Sequence, residues 1–418
     1  MTLHSLLRTC SAVWVLTLIV AGPQSPALLA DDKPESVKKL AAVVTVYRKY
    51  SHAEVIAGRV IQGDKLDGTQ TWPGLQVVSM FADQVREEDL GKLVCEKYGV
   101  RQSETVADAL TLGTGKLAVD GVLLIAEHGM YPDSPLGQTE FPKQRLWNQI
   151  VQVFEDSGRV VPVFSDKHLS HNGPDARAMY DTAVRMKIPF MAGSSISAAW
   201  RAPEVNTSPD KKLLRIVSIG YGGLEPYGFH SLEQLQCLAE NRPGGETGLK
   251  SVRGLKGDQV WEAGKNGLFD IEVVNAALSR QPRTPAVTWE MLPQLVAEPA
   301  VMILEYEDGL QGCMFMLNGA ATEFTVGWRD EAGVSSMWSK LEENEPFRHF
   351  SVLLTGIGEM MQTGKPTWPA ERTLLSTSAL HAGFLSFSKN GEPVDVSEWA
   401  VPYKSEWTWK SPGPFPAP

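Results

Sequence analysis

The sequence predicts an α/β protein, a doubly wound parallel sheet followed by an α+β region with an open, mostly antiparallel sheet. Three observations carry this. From Lys39 to about Ala199, short β-branched apolar runs alternate with amphipathic segments of helical period, the pattern of strands buried on both faces by crossover helices. From about Arg201 the apolar runs follow one another more closely, and Asp308-Gly309 stands between two of them as a hairpin turn. The length of 418 residues leaves room for two cores, at roughly 100–200 residues per domain.

Residues 1–30 precede the fold. Arg8, the apolar stretch 11–22, Pro23, Pro26 and the ending Ala27-Leu28-Leu29-Ala30 read as a secretory signal cleaved near Ala30. That stretch is too short to cross about 30 Å of hydrocarbon, so the expected product is periplasmic or extracellular, with no stable membrane insertion after cleavage.

In the first domain, 31–200, strands are expected at 40–46, 75–81, 119–126, 160–164 and 189–192. Helices are expected at 89–98 (capped by Asp89), 105–112, 144–157 and 173–186; in the first and third of these, apolar residues return every three or four positions. In the second domain, 201–389, strands are expected at 213–219, 252–255, 259–261, 301–306, 312–317 and 323–326, and helices at 230–240, 347–361 and 369–386. The stretch 390–418, with six prolines and three tryptophans, reads as an extended tail.

Composition narrows the function. The chain has 39 basic and 49 acidic residues, a net charge of −10, and no long basic run, which leaves nucleic-acid binding without electrostatic support. After cleavage Cys95, Cys237 and Cys313 remain, far apart and without CxxC spacing, and read as small buried apolar residues. An enzyme or binding protein for small molecules is left; assembly into a homo-oligomer stays open.

In a doubly wound sheet, ligands bind beyond the carboxyl ends of the strands. Here those ends carry the ionisable residues: Tyr47-Arg48-Lys49-Tyr50-Ser51-His52, then Glu127-His128-Gly129, then Asp166-Lys167-His168 with His171 beyond. Farther on, His230 and Glu233 stand three apart on one helical face.

A parallel half, Asp166-Lys167-His168 at a strand end, a helix opening near His230, an open sheet and Thr363-Gly364-Lys365-Pro366 before a closing helix resemble the Gfo/Idh/MocA oxidoreductases, whose first domain is Rossmann-like. The resemblance spans roughly residues 40–386. It implies NAD or NADP as cofactor and a carbohydrate or polyol as substrate. It further implies that Lys167 orients the substrate hydroxyl and His230 is the general base, with Asp166 and Glu233 beside them. Tyr47, Ser51, His52, Asp83, Glu127 and His128 are the expected cofactor-binding positions. The chain departs from that family in three places. No GxGxxG follows the first strand, where the first glycine is Gly58; the family's Glu-Lys-Pro is Asp166-Lys167-His168; and the family's aspartate four residues before the helix histidine is Pro226, with Glu225 the nearest carboxylate.

Two other readings stay open. Glu127, His128, Asp166, His168, His171 and His230 are the residue types that hold a divalent metal in a lyase, isomerase or hydrolase. Alternatively the chain is a non-catalytic carbohydrate-binding relic. In that case Trp261, Trp289, Trp328, Trp338 and Trp368 are either sugar-stacking faces or core, and Arg201-Ala202-Pro203 after Ser194-Ser195 lines the same cleft.

Overall fold

The computed structural model describes residues 36–283, 285–342 and 344–415; the expected signal at 1–30 lies outside them. The strands are β1 Lys38–Val44, β2 Leu75–Ala82, β3 Arg101–Ser103, β4 Gly121–Ile125, β5 Val163–Asp166, β6 Phe190–Gly193, β7 Trp200–Ala202, β8 Leu213–Gly220, β9 Leu249–Lys256, β10 Ala300–Tyr306, β11 Gln311–Met316, β12 Phe324–Asp330, β13 Gly333–Lys340 and β14 Val394–Asp395. The helices are α1 Arg59–Gln62, α2 Gly91–Tyr98, α3 Val106–Thr111, α4 Lys143–Ser157, α5 Gly173–Met186, α6 Pro226–Ala239, α7 Asp258–Lys265, α8 Ile271–Leu278, α9 Leu292–Leu295, α10 His349–Thr363 and α11 Ala370–Ser388. A π-turn, Glu54–Gly58, runs directly into α1.

Six strands form a parallel sheet in the order β3-β2-β1-β4-β5-β6. Their apolar runs are continuous because both faces are covered. Leu40, Ala42 and Val44 pack under Leu353, Ile357 and Met361 of α10, while Ala41 and Val43 pack with Leu110, Leu124 and Leu146 on the other face. The order reverses between β1 and β4, so the loops after these neighbours diverge and leave a crevice at their carboxyl ends.

The second sheet has the order β14-β9-β10-β11-β8-β12-β13-β7. All its pairs are antiparallel except β11 with β8. Its residues alternate between two cores. Met302, Met314 and Trp328 face α6 and α11, and Val301, Ile303, Cys313 and Phe315 face α8 and its neighbours. The hairpin expected at Asp308-Gly309 joins β10 to β11, with Gly309 at φ 83°.

Several expectations need correction. Residues 259–261 lie inside α7, where Val260 and Ala263 are buried at helical spacing; a stretch of three residues is too short to reveal a period. The helix carrying His230 begins earlier, at Pro226 in the first turn, so His230 sits one turn in. Asp89 precedes α2 without being its cap residue, which is Leu90; its Oδ1 accepts from the Gly91 N–H at 2.7 Å and its Oδ2 from the Tyr47 N–H at 2.9 Å. The strand expected at 160–164 is shifted to β5, which ends on Asp166 and leaves Lys167 at φ 57°. The π-turn with α1, β3, β7, β13, β14, α8 and α9 had no counterpart in the sequence reading.

The tail is held along its length. β14 pairs with β9, the Tyr403 hydroxyl donates to Glu240 Oε2 at 2.7 Å, and the Trp409 indole donates to the Ala199 carbonyl at 2.9 Å. Among the described residues no helix is long and apolar enough to cross a membrane.

Candidate active site

A cleft of about 960 Å³ opens where the loops after β1, β4 and β5 face α6, with Phe324, Leu341 and Phe350 closing its sides. Its floor is a buried charge cluster. Glu127 follows β4 and pairs through Oε1 with Lys143 Nζ at 2.6 Å, while its Oε2 lies 3.6 Å from Lys167 Nζ. Lys143 also donates to the Asp166 carbonyl at 2.7 Å. Burial pushes the Glu127 carboxyl upward, but Lys143 beside it, with Lys167 and His168, holds it well below the ordinary carboxylate range. Burial likewise opposes the Lys167 charge, and Glu127, Asp166 and Glu225 together outweigh it, so the ammonium is kept above its usual value. His168 is wedged between Glu127 and Glu225, its Nε2 3.2 Å from Glu225 Oε1.

On the opposite wall, His230 Nδ1 lies 2.9 Å from Ser194 Oγ, and its ring packs against Tyr227 and Phe324. Burial first, then the charges of Lys167 and His52, lowers its pKa well below 6.5, so the imidazole is neutral at pH 7. Ser194 follows β6 and is tied to Glu233. Its N–H donates to the carboxylate at 2.9 Å and its hydroxyl to Oε2 at 2.5 Å. This approach requires Gly193, at φ 117°, because a Cβ there would stand 1.9 Å from Glu233 Oε1.

The structure thus brings Lys167, His230, His52, Glu127 and His128 onto one cleft. Asp166 is fully buried behind it and holds His52 Nδ1 at 2.6 Å. Glu233 is also buried and reaches His230 only through Ser194. Tyr47 and Ser51 are fully buried away from the cleft; the Tyr47 hydroxyl accepts from Gln62, and the Ser51 hydroxyl is spent on Arg48. Asp83 is bound by the Tyr131 hydroxyl at 2.8 Å and by Arg145 at 2.7 Å. His171 bonds to Asn172 instead of joining His168. Arg201 is buried against Cys237 and Trp409 and lines no part of the cleft. None of the five singled-out tryptophans lines it either; Trp261 and Trp289 pack edge to face at 5.4 Å in the second sheet's core. Among the described residues no three His, Cys, Asp or Glu side chains gather as a metal would require.

Sequence reasoning assigned no role to Ser194, Tyr227 or His349. Ser194 carried a usable signal, a small polar residue immediately after a strand of the parallel sheet. His349 lies over Phe350 at 4.4 Å, and its pKa is lowered to about 3, chiefly by burial.

No protein-family model and no curated protein matches the chain in sequence. In three dimensions it is similar to the apo scyllo-inositol dehydrogenase of Lactobacillus casei, with TM-score 0.53 and 12% identity over 87% of this chain and 99% of that one. GenD2 of gentamicin A biosynthesis, solved with NAD, gives 0.52 and 14% over 90% and 99%. The myo-inositol 2-dehydrogenase of Lactobacillus plantarum gives 0.51 and 10% over 86% and 99%. These likenesses establish the fold: a Rossmann-like sheet followed by a mostly antiparallel sheet, the Gfo/Idh/MocA architecture.

Solved structures of this architecture include NAD complexes, and a dinucleotide in this chain would occupy the crevice between β1 and β4. Such a site offers free N–H groups at the start of the first helix to a pyrophosphate. Here the Tyr47 N–H donates to Asp89 Oδ2 at 2.9 Å, the Arg48 N–H to Ser51 Oγ at 3.2 Å, and the Tyr50 N–H to Glu54 Oε2 at 2.5 Å. Two of these acceptors are carboxylates, which would oppose a phosphate. Asp83, one of the expected cofactor-binding positions, is bound by Tyr131 and Arg145. Gln84 and the Met130 backbone exchange hydrogen bonds of 2.8 and 3.0 Å across the gap. Above the loop, Phe347 lies on Tyr50 at 5.4 Å and Phe350 on His52 at 5.2 Å. Arg59 secures that cover by donating to the Pro346 and Phe347 carbonyls. The residues present do not fit a dinucleotide in this crevice.

Proposed function

We propose that the chain is a divergent, exported Gfo/Idh/MocA-type protein that acts on a carbohydrate or polyol by general acid–base chemistry, without a nucleotide in the crevice. One observation carries the reading: Lys167, an ammonium held charged by buried carboxylates, and His230, a neutral imidazole, open onto the same cleft. A carbonyl-bearing sugar or polyol suits that pair. Lys167 Nζ donates to the carbonyl oxygen, His230 Nε2 takes the proton from the neighbouring carbon, and the bonding pair moves onto the oxygen. Return of the proton to a different carbon gives isomerisation; departure of a neighbouring hydroxyl gives elimination. The related folds solved as inositol dehydrogenases, one with scyllo-inositol bound, support a polyhydroxylated substrate.

A second reading, the nicotinamide-dependent oxidoreductase, is favoured by the NAD-bound structures of the same architecture. Two measurements separate them. With ketoses and keto-polyols in deuterated water, proton NMR should show C–H exchange by the wild type that falls at least a hundredfold in Lys167→Ala and His230→Ala. Exchange undiminished in both variants overturns the acid–base assignment. Calorimetric titration with NAD and NADP should show dissociation constants weaker than about 1 mM, a binding free energy of about −4 kcal/mol. Micromolar binding would restore the oxidoreductase.

A further inference from the structure

The His230 ring nitrogen turned away from the cleft does not end on a passive partner. Ser194 Oγ lies 2.9 Å from His230 Nδ1 and 2.5 Å from Glu233 Oε2, and a hydroxyl has a single hydrogen to give. With Glu233 ionised, that hydrogen goes to the carboxylate and the oxygen accepts from Nδ1–H, which leaves the Nε2 lone pair for the cleft. With Glu233 protonated the chain of donors reverses, and Nε2 carries the hydrogen.

We propose that Ser194 and Glu233 form a proton relay that sets which ring nitrogen of His230 is protonated; the proposal rests on His230 being the base. When Nε2 takes a proton from substrate carbon, the Nδ1 proton passes to Ser194 Oγ and the serine hydrogen to Glu233 Oε2. The substrate C–H, the Nδ1–H and the original serine O–H bonds break, and an Nε2–H, a new serine O–H and a Glu233 O–H bond form, so the ring ends neutral with its hydrogen on Nε2 and Glu233 ends protonated. The relay removes an electrostatic difficulty, since an imidazolium here would stand near Lys167 in a buried site. Ser194 and Glu233 are positioning residues, both buried.

The surroundings match a carboxyl that exchanges protons near neutrality. Burial, partly offset by Ser194 and by Arg372 from α11, raises Glu233 to about 7, with Asp166 of β5 adding to the rise. Cys237 on the same helix also faces Glu233, while Lys167, His52, Glu127 and His349 face His230.

The test is nitrogen-15 NMR of the histidine side chains in the full chain, without substrate. Between pH 5.5 and 8.5 the wild-type His230 signals should exchange character, Nδ1–H above and Nε2–H below a midpoint near 7. Glu233→Gln, whose amide donates to Ser194, should hold the Nε2–H form throughout. Ser194→Ala should abolish the pH dependence, and Ser194→Thr, which keeps the hydroxyl, should retain it. If Glu233→Gln does not fold, the two Ser194 variants decide. The same tautomer at all pH values in the wild type, or an unchanged pH response in Ser194→Ala, overturns the relay. Because no turnover is read, this outcome is independent of the deuterium-exchange result for His230.

Discussion

Glu127→Gln removes one charge from the floor of the cleft and keeps the side-chain shape. In the wild type this carboxylate is 5% exposed and faces two ammonium groups, Lys143 at 2.6 Å and Lys167 at 3.6 Å. Once the charge is gone Lys143 faces only neutral acceptors, among them the Asp166 carbonyl. Leaving a buried charge without its counter-ion costs about 3–5 kcal/mol, and that is the expected loss in a urea unfolding series at pH 7. The pH dependence gives the sign. Glu127 has a folded pKa below its unfolded one, so its contribution is present above the unfolded value near 4.5 and is lost as pH falls through the folded value. Lys167 has a raised folded pKa, so its contribution is full below its unfolded value of 10.5 and is lost as pH rises further. In Glu127→Gln the buried Lys167 ammonium loses the carboxylate that most raises its pKa and sheds its proton more readily, so the gap from wild type should narrow as pH rises toward 10. A loss below about 1 kcal/mol at pH 7, the range of an exposed pair, would refute the argument that this carboxylate holds the cluster together.

Three further outcomes are expected. The rate of C–H exchange should fall below about pH 7, because Glu233 must be ionised to accept the relayed proton, and Glu233→Gln should lose that limb of the pH profile. Arg372→Met should cost about 3–5 kcal/mol in urea unfolding, since it strips the buried Glu240 of a two-pronged partner at 2.9 and 2.5 Å. The double variant Arg372→Met/Glu240→Leu should recover most of that loss, and a single variant as stable as wild type would refute it. Gly193→Ala should destabilise by about 1–3 kcal/mol and abolish exchange, because its Cβ would stand 1.9 Å from Glu233 Oε1; unchanged unfolding would show that the strand end can yield.

The alternation of apolar runs and amphipathic segments was enough to find five of the six strands of the parallel sheet, all but β3, because a long apolar run between helical segments announces itself locally. It failed where the signal is short or mixed. The tripeptide 259–261 folded as part of α7, and the buried π-turn after β1 has no apolar period of its own. The rule that ligands sit beyond strand ends found Glu127, Lys167 and His52, since it needs only strand boundaries. It placed Tyr47 and Ser51 at the same end, yet both are buried elsewhere, because the rule does not say which way a loop side chain turns.

What the sequence by itself determined, then, is the fold and the strand ends around which chemistry gathers. The tertiary structure alone decided the use made of them. Asp89 comes 42 residues after the Tyr47 N–H it occupies, Ser194 comes 36 before His230, and Phe350 caps His52 from α10, which follows the second sheet in the chain but packs on the first. Such pairings depend on how distant segments pack, which no local pattern encodes, and they separate a crevice filled by the chain itself from a cleft left open for a ligand.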